Sequence, residues 1–117
     1  MSTRVYVPTT LADLADHVAA GEVPAAVERF VAPDETEEGE YAALTEAALA
    51  SGELGPGRRV VLVAEVADPD AAVPLAQLVA VHVDIDADPD PEEDLAWFAT
   101  QEIPHLLDGT AFGASDS

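Results

Sequence analysis

The chain contains no cysteine and no lysine. Without cysteine there is no disulfide, no thiolate nucleophile and no cysteine-based metal site. Without lysine no ammonium can reach a phosphate, and neither G-x-x-x-x-G-K-[ST] nor G-x-G-x-x-G occurs. Basic side chains are confined to Arg4, Arg29, Arg58 and Arg59. One Trp, two Tyr and three Phe are a poor supply for the aromatic platforms of a glycosidase cleft. No apolar run approaches the roughly 18 residues of a membrane span. The N-terminus lacks the basic and apolar regions of a signal peptide. The expectation is a cytoplasmic protein with no membrane partner.

Acid is abundant. The 117 residues carry 24 Asp and Glu, for a formal charge of −20. A chain of 12.1 kDa is expected to fold as one domain with a surface of about 6,000 Å². That places one net charge on about every 300 Å², a mean spacing of roughly 17 Å. The spacing exceeds the Debye length of about 8 Å at physiological salt but not the length of about 30 Å at 0.01 M. Melting temperature is therefore expected to rise with added NaCl between low salt and about 1 M; a flat response would remove the electrostatic argument. Such acidity also argues against direct binding to nucleic acid or an anionic membrane. Hydrophobic residues make up 49% of the chain, but 23 of them are alanine. The core must rest on valine and leucine.

Arg4 to Val7 reads as a strand, with Val5 and Val7 on one face. Thr10 is a good N-cap for a helix whose stripe is Leu11, Leu14, Ala15, Val18 and Ala19, ended by Gly21. This pattern places His17 on the polar side. Residues Ala26 to Val31 are a candidate short strand. Asp34 to Glu40 holds five acids in seven residues, a solvated loop leading into a helix with the stripe Tyr41, Leu44, Thr45, Ala48 and Leu49, stopped by Gly52. Residues 52–57 read as a loop. Arg58 to Val66 is the strongest strand, apolar enough for burial on both faces. A turn at Asp68-Pro69-Asp70 separates it from Leu78 to Ile85, where Val79, Val81, Val83 and Ile85 share a face. The last segment has two readings. Asp90-Pro91-Glu92-Glu93 is a good helix start, and Leu95, Phe98, Ala99 and Ile103 fit one helical face, with Pro104 as terminator. The rival reading makes Leu95-Trp97-Ala99 a strand. The residue patterns favour the helix. The expected architecture is α+β, a single small mixed or antiparallel sheet with helices mainly on one face, loosely ferredoxin-like. It would occupy residues 1–112, with a flexible tail over 113–117.

Seven acids fall within Asp84–Asp94, and Asp84, Asp86, Asp88 and Asp90 are oxygen donors at calcium-loop spacing. The EF-hand register fails, because Pro89 stands where glycine is needed and Leu95 where the bidentate glutamate is needed. A frame starting at Asp86 meets Pro91 and Trp97 at those positions. The loop is read as solvated, with a divalent cation as the alternative ligand. His82 shares a strand face with Asp84, and an i, i+2 pair could orient an imidazole. No H-x-x-x-H, H-E-x-x-H or G-x-S-x-G is present. Arg58-Arg59 is the sole basic pair and is read as offsetting local acid. No catalytic constellation and no cofactor is expected. Trp97 and Phe98, followed by Gln101 and Glu102, form the aromatic–polar cluster suited to anchoring a partner.

Several phrases resemble a small actinobacterial protein family, a domain of unknown function. They are Arg4-Val5-Tyr6-Val7-Pro8-Thr9-Thr10-Leu11, Glu40-Tyr41-Ala42-Ala43-Leu44, Arg58-Arg59-Val60-Val61, Ala80-Val81-His82-Val83-Asp84 and Leu95-Ala96-Trp97-Phe98-Ala99-Thr100-Gln101-Glu102. The resemblance spans roughly residues 4 to 107 and implies a compact, stand-alone cytoplasmic protein, with no activity to carry over. It favours a strand over residues 95–100.

The reading that follows is a non-enzymatic interaction or regulatory module whose protein partner has a basic surface. Its candidate binding residues are Trp97, Phe98, Gln101, Glu102, His82 and Tyr41. The alternative is a small-molecule or divalent-cation-binding domain; a nucleic-acid mimic ranks below both. An exposed sheet edge would permit a homodimer.

Overall fold

A computed structural model describes residues 2–55, 57–90 and 92–112 of the chain. The valine-rich runs form the sheet. Strand β1 (Thr3–Thr9) pairs along its whole length with β4 (Val60–Val66), from Thr3 opposite Val66 to Thr9 opposite Val60. Strand β6 (Leu78–Val83) lies on the other side of β4, β7 (Ala96–Phe98) beyond it, and β3 (Phe30–Val31) along β1. The order is β3-β1-β4-β6-β7, antiparallel at every step. Strands β2 (Glu22–Val23) and β5 (Val73–Pro74) form a separate two-stranded ribbon.

Side-chain alternation along β1 and β4 creates two cores. Val5, Val7, Leu62 and Ala64 face one side, where they meet Leu14 of helix α1 (Leu11–Ala20) and Ile103 and Leu106 of helix α3 (Ile103–Asp108). Tyr6, Val61, Val63 and Ala80 face the other, beneath Ala43, Ala47 and Ala48 of helix α2 (Glu37–Leu54). The fold is thus α+β, with an antiparallel sheet, α1 and α3 on one face and α2 on the other. The chain order of its helices and strands departs from the β-α-β-β-α-β order of a ferredoxin-like plait. The accessible surface is 6594 Å², close to the sequence expectation.

Helix α1 starts and stops as its sequence predicts. The Thr10 hydroxyl accepts the Asp13 N–H at 3.1 Å, and Gly21, at φ 81°, donates to the His17 and Val18 carbonyls. Its buried face differs. Leu14 and His17 are buried, and Val18 is exposed, as are Ala15 and Ala19. An i, i+3 row is as regular as an i, i+4 row, and two alanines carry too little apolar area to decide between them.

Helix α2 also runs longer than expected, from a Thr36 cap that accepts the Gly39 N–H to Leu54, passing through Gly52. Its buried residues are Gly39, Ala43, Ala47, Ala48 and Ser51; of the expected stripe Ala48 is buried and Leu44 half-buried, whereas Tyr41, Thr45 and Leu49 are exposed. Small residues let the helix backbone approach the sheet, and the larger side chains project beside it. The candidate strand from Ala26 shrinks to Phe30–Val31, because the Arg29 guanidinium bends the preceding chain by donating to the carbonyls of Pro24, Val27, Pro69 and Ala71.

Strand β6 contains a bulge. Val63 faces Ala80 but Ala64 faces Leu78, so Val79 is unmatched and turns outward, 42% exposed. The face expected through Val79 and Ile85 is therefore broken: Leu78 joins Val81 and Val83 in the first core, and the strand ends at Val83. Residues 96–98 are a strand rather than helix, correcting the preferred reading and agreeing with its rival. Asp90 does cap, its carboxylate accepting the Glu92 N–H at 2.9 Å, but only one turn forms. Pro104, expected as a terminator, instead lies in the first turn of α3, where its missing N–H has no helical partner to lose. Pro91 and the expected tail at 113–117 lie outside the described residues.

Candidate functional site

Helix α2 packs across β3, β1 and β4. The same face of β6 and β7 lies beside it, forming the floor of a groove. Alternation sets what that floor presents. His82 stands directly opposite Trp97 across the β6–β7 pair, so imidazole and indole lie side by side on the α2 face. Phe98 must then point the other way. It meets Phe112 edge-on at 6.3 Å, and the Arg58 guanidinium sits 3.7 Å above the Phe112 ring. The expected Trp97–Phe98 anchor pair is therefore divided between opposite faces of the sheet.

The end of the groove is built by a buried ion pair. Asp84, expected to share a face with His82, lies just past the end of β6 and is only 2% exposed. Its Oδ2 accepts both the main-chain N–H of Arg59 at 2.8 Å and Arg59 Nε at 2.7 Å. Its Oδ1 accepts the guanidinium at 2.8 Å. The Arg59 guanidinium also donates to the carbonyls of Asp90 and Glu93, wrapping the acidic loop around itself. Its pKa is raised, first by the hydrogen bond to Asp84. The basic pair thus compensates acid at a strand entrance, as the sequence suggested, through Arg59; Arg58 donates to the Ile85 carbonyl.

With the loop pinned, two adjoining lobes open beside α2. One, of about 390 Å³, is lined by Arg4, Tyr6, Glu37, Glu40, Tyr41 and Val79, among others. The second, of about 470 Å³, lies between Tyr41, Leu49, Glu92, Glu93, Asp94 and Trp97. Tyr41, Leu44, His82 and Trp97 line both. The Tyr41 hydroxyl donates to Asp94 Oδ1 at 2.9 Å, tying α2 to the acidic loop. Trp97 remains 62% exposed and Tyr41 56%. In the first lobe the charge of Arg4 is met by Glu65, to which it hydrogen-bonds, and by Glu40 at 3.5 Å. Burial lowers the pKa of His82, which favours the neutral imidazole at the groove floor, and raises that of Tyr6.

Of the expected binding residues, the groove brings together His82, Trp97 and Tyr41. Gln101 and Glu102 lie in the 3-10 turn Thr100–Glu102 that follows β7, and neither is among the residues lining the lobes. The calcium-spaced acids do not converge either. Asp84 is committed to Arg59, Asp86 and Asp88 are exposed, and no group of three or more His, Cys, Asp or Glu able to hold a metal occurs among the described residues. Sequence reasoning missed Leu44, Leu49 and Val79 as groove residues. The first two look like core at helical spacing, and Val79 is displaced by a bulge with no local signature.

A profile of a family of unknown function (DUF6912) matches residues 3–91. The chain belongs to this family. The match takes in β1 to β6, α1 and α2, and so includes Tyr41, Leu44 and His82 of the groove; the Glu92–Asp94 turn and Trp97 follow it. No curated protein and no solved structure matches the chain. Among the described residues, no helix is long and apolar enough to cross a membrane.

Proposed function

We propose that this member of the family is a non-enzymatic interaction module that holds a basic, amphipathic segment of a partner protein in the groove beside α2. One observation carries the reading: exposed Trp97 and Tyr41 lie with Leu44 and His82 in a groove whose rim is acidic, with Glu37 and Glu40 at one end and Glu92, Glu93 and Asp94 at the other. Exposed large apolar side chains gathered in a concavity mark a contact surface rather than scattered surface residues. Trp and Tyr are the side chains whose burial contributes most at interfaces. The net charge of −20 accelerates encounter with a cationic partner and repels acidic ones. The phenol of Tyr41 donates to Asp94 rather than to His82, so phenol and imidazole are not joined in a relay.

Trp97 is the sole tryptophan and reports directly on the groove. An amphipathic Lys/Leu peptide is expected to give a saturable blue shift of its emission, weakened by added salt, while a Glu/Leu peptide of the same pattern gives none. Trp97→Ala, followed through a fluorophore on the peptide, should weaken binding by about 30-fold, the factor equivalent to a hot spot of about 2 kcal/mol. Equal binding of the two peptides, or of neither, rejects the reading.

A further inference from the structure

The two lobes differ in charge, and the difference points to a specific ligand group. In the first lobe Arg4 lies among the acids and is paired with two glutamates. In the second the basic residue is Arg59, which also lines the lobe but is 7% exposed, its charge met by Asp84. That leaves Glu92, Glu93 and Asp94 to set the charge of a space walled by an indole and a phenol. Building on the groove reading, we infer that this second lobe is a recognition site for one planar organic cation, the guanidinium of an arginine side chain on the partner.

Three features support a guanidinium rather than a diffuse counter-ion cloud. Trp97 and Tyr41 both line the lobe, and an indole and a phenol are the ring types on which a planar cation stacks best. Glu92 and Glu93 line the lobe, and a carboxylate's two oxygens match a forked donor. The walls are also held in place beforehand. The Glu93 N–H closes the turn onto the Asp90 carbonyl at 3.0 Å, the Arg59 guanidinium holds the Asp90 and Glu93 carbonyls, and Tyr41 is fixed by its bond to Asp94. A preformed site binds without first ordering a loop. At about 470 Å³ the lobe lies within the size range of small-ligand pockets.

The test uses the intact chain and single amino-acid derivatives. N-acetyl-arginine amide is titrated while Trp97 emission and the Trp97 indole proton resonance are followed, beside N-acetyl-citrulline amide, its neutral isostere, and N-acetyl-lysine amide. The arginine derivative should bind saturably, with a dissociation constant of the order of 1 mM for a ligand of this size. The lysine derivative should bind more weakly and the citrulline derivative not measurably. The triple variant Glu92→Gln, Glu93→Gln, Asp94→Asn should weaken arginine binding by about tenfold or more. The amide at 94 still accepts the Tyr41 hydroxyl, and Arg59 contacts this turn through main-chain carbonyls, so the lobe keeps its shape. Equal binding of arginine and citrulline, equal binding of arginine and lysine, or full arginine affinity in the triple variant overturns the inference. The groove reading stands or falls apart from it: peptide binding without any response to free arginine derivative removes this site alone, and arginine binding without peptide binding removes the groove reading alone.

Discussion

Replacing Arg59 by alanine is expected to destabilise the protein by about 3–5 kcal/mol, the range for breaking a buried pair by removing one partner. For a domain of this size that corresponds to a fall in melting temperature of about 10–20 °C. Asp84 is 2% exposed, and without Arg59 its carboxylate keeps only the main-chain N–H of residue 59 from the set it now accepts. The loss should exceed that for Arg4→Ala severalfold. The Arg4 pairs with Glu65 and Glu40 lie at a partly exposed surface, where such pairs contribute about 0–1 kcal/mol.

The partner substitution separates charge from shape. In Arg59→Met with Asp84→Asn, the amide oxygen can still accept the residue-59 N–H, and no buried charge remains. This double variant should recover much of the stability lost in Arg59→Ala, and a double-mutant cycle between the two sites should give a coupling of more than about 1.5 kcal/mol. Additive losses would show that the arginine acts through its stem and not through its charge. Groove binding should not recover with stability, because methionine cannot donate to the Asp90 and Glu93 carbonyls that shape the second lobe. Fluorescence titration of the double variant with the basic peptide checks this directly.

The sheet was legible in the sequence because its strands are long valine runs whose alternation dominates any rival pattern. Thr10 and Gly21 were legible because a cap is decided by a single residue. The failures share a cause. On α1 and α2 the candidate stripes differ by alanines and glycines, whose small apolar area does not choose a face, so His17 and the row Gly39, Ala43, Ala47 and Ser51 were buried against expectation. At Leu95–Ile103 a good helix start competed with the unpaired edge of β6, a long-range term invisible to local propensity. The same pairing carried the site. Trp97 was recognisable as an anchor, but its neighbour could be known only from the β6 register, which puts His82 beside it and sends Phe98 to the opposite core. Tyr41 was recognisable too, yet what exposes it is the row of small residues that takes the buried face of α2.

That row ends in the second large effect. Ser51→Ala should cost about 2–5 kcal/mol, far more than a serine near a helix terminus ordinarily contributes. Ser51 is 2% exposed, and its hydroxyl donates to the Thr9 carbonyl at 2.7 Å while accepting the Val60 N–H at 2.9 Å. Thr9 and Val60 are the last matched pair of the β1–β4 ladder. Removing the hydroxyl therefore leaves a buried donor and a buried acceptor at once, each worth about 1–3 kcal/mol. Thr45→Ala, exposed on the same helix, is the control and should change stability by less than about 0.5 kcal/mol. Denaturant unfolding gives the magnitude, and hydrogen exchange at the Val60 amide identifies the mechanism: exchange there should accelerate beyond the change at other β4 amides. A small loss with Val60 still protected would mean that another acceptor takes up its N–H. Because Ser51 fixes the C-terminal part of α2 to the sheet, its loss should also loosen the helix that carries Tyr41, weakening groove binding without any change to a groove residue.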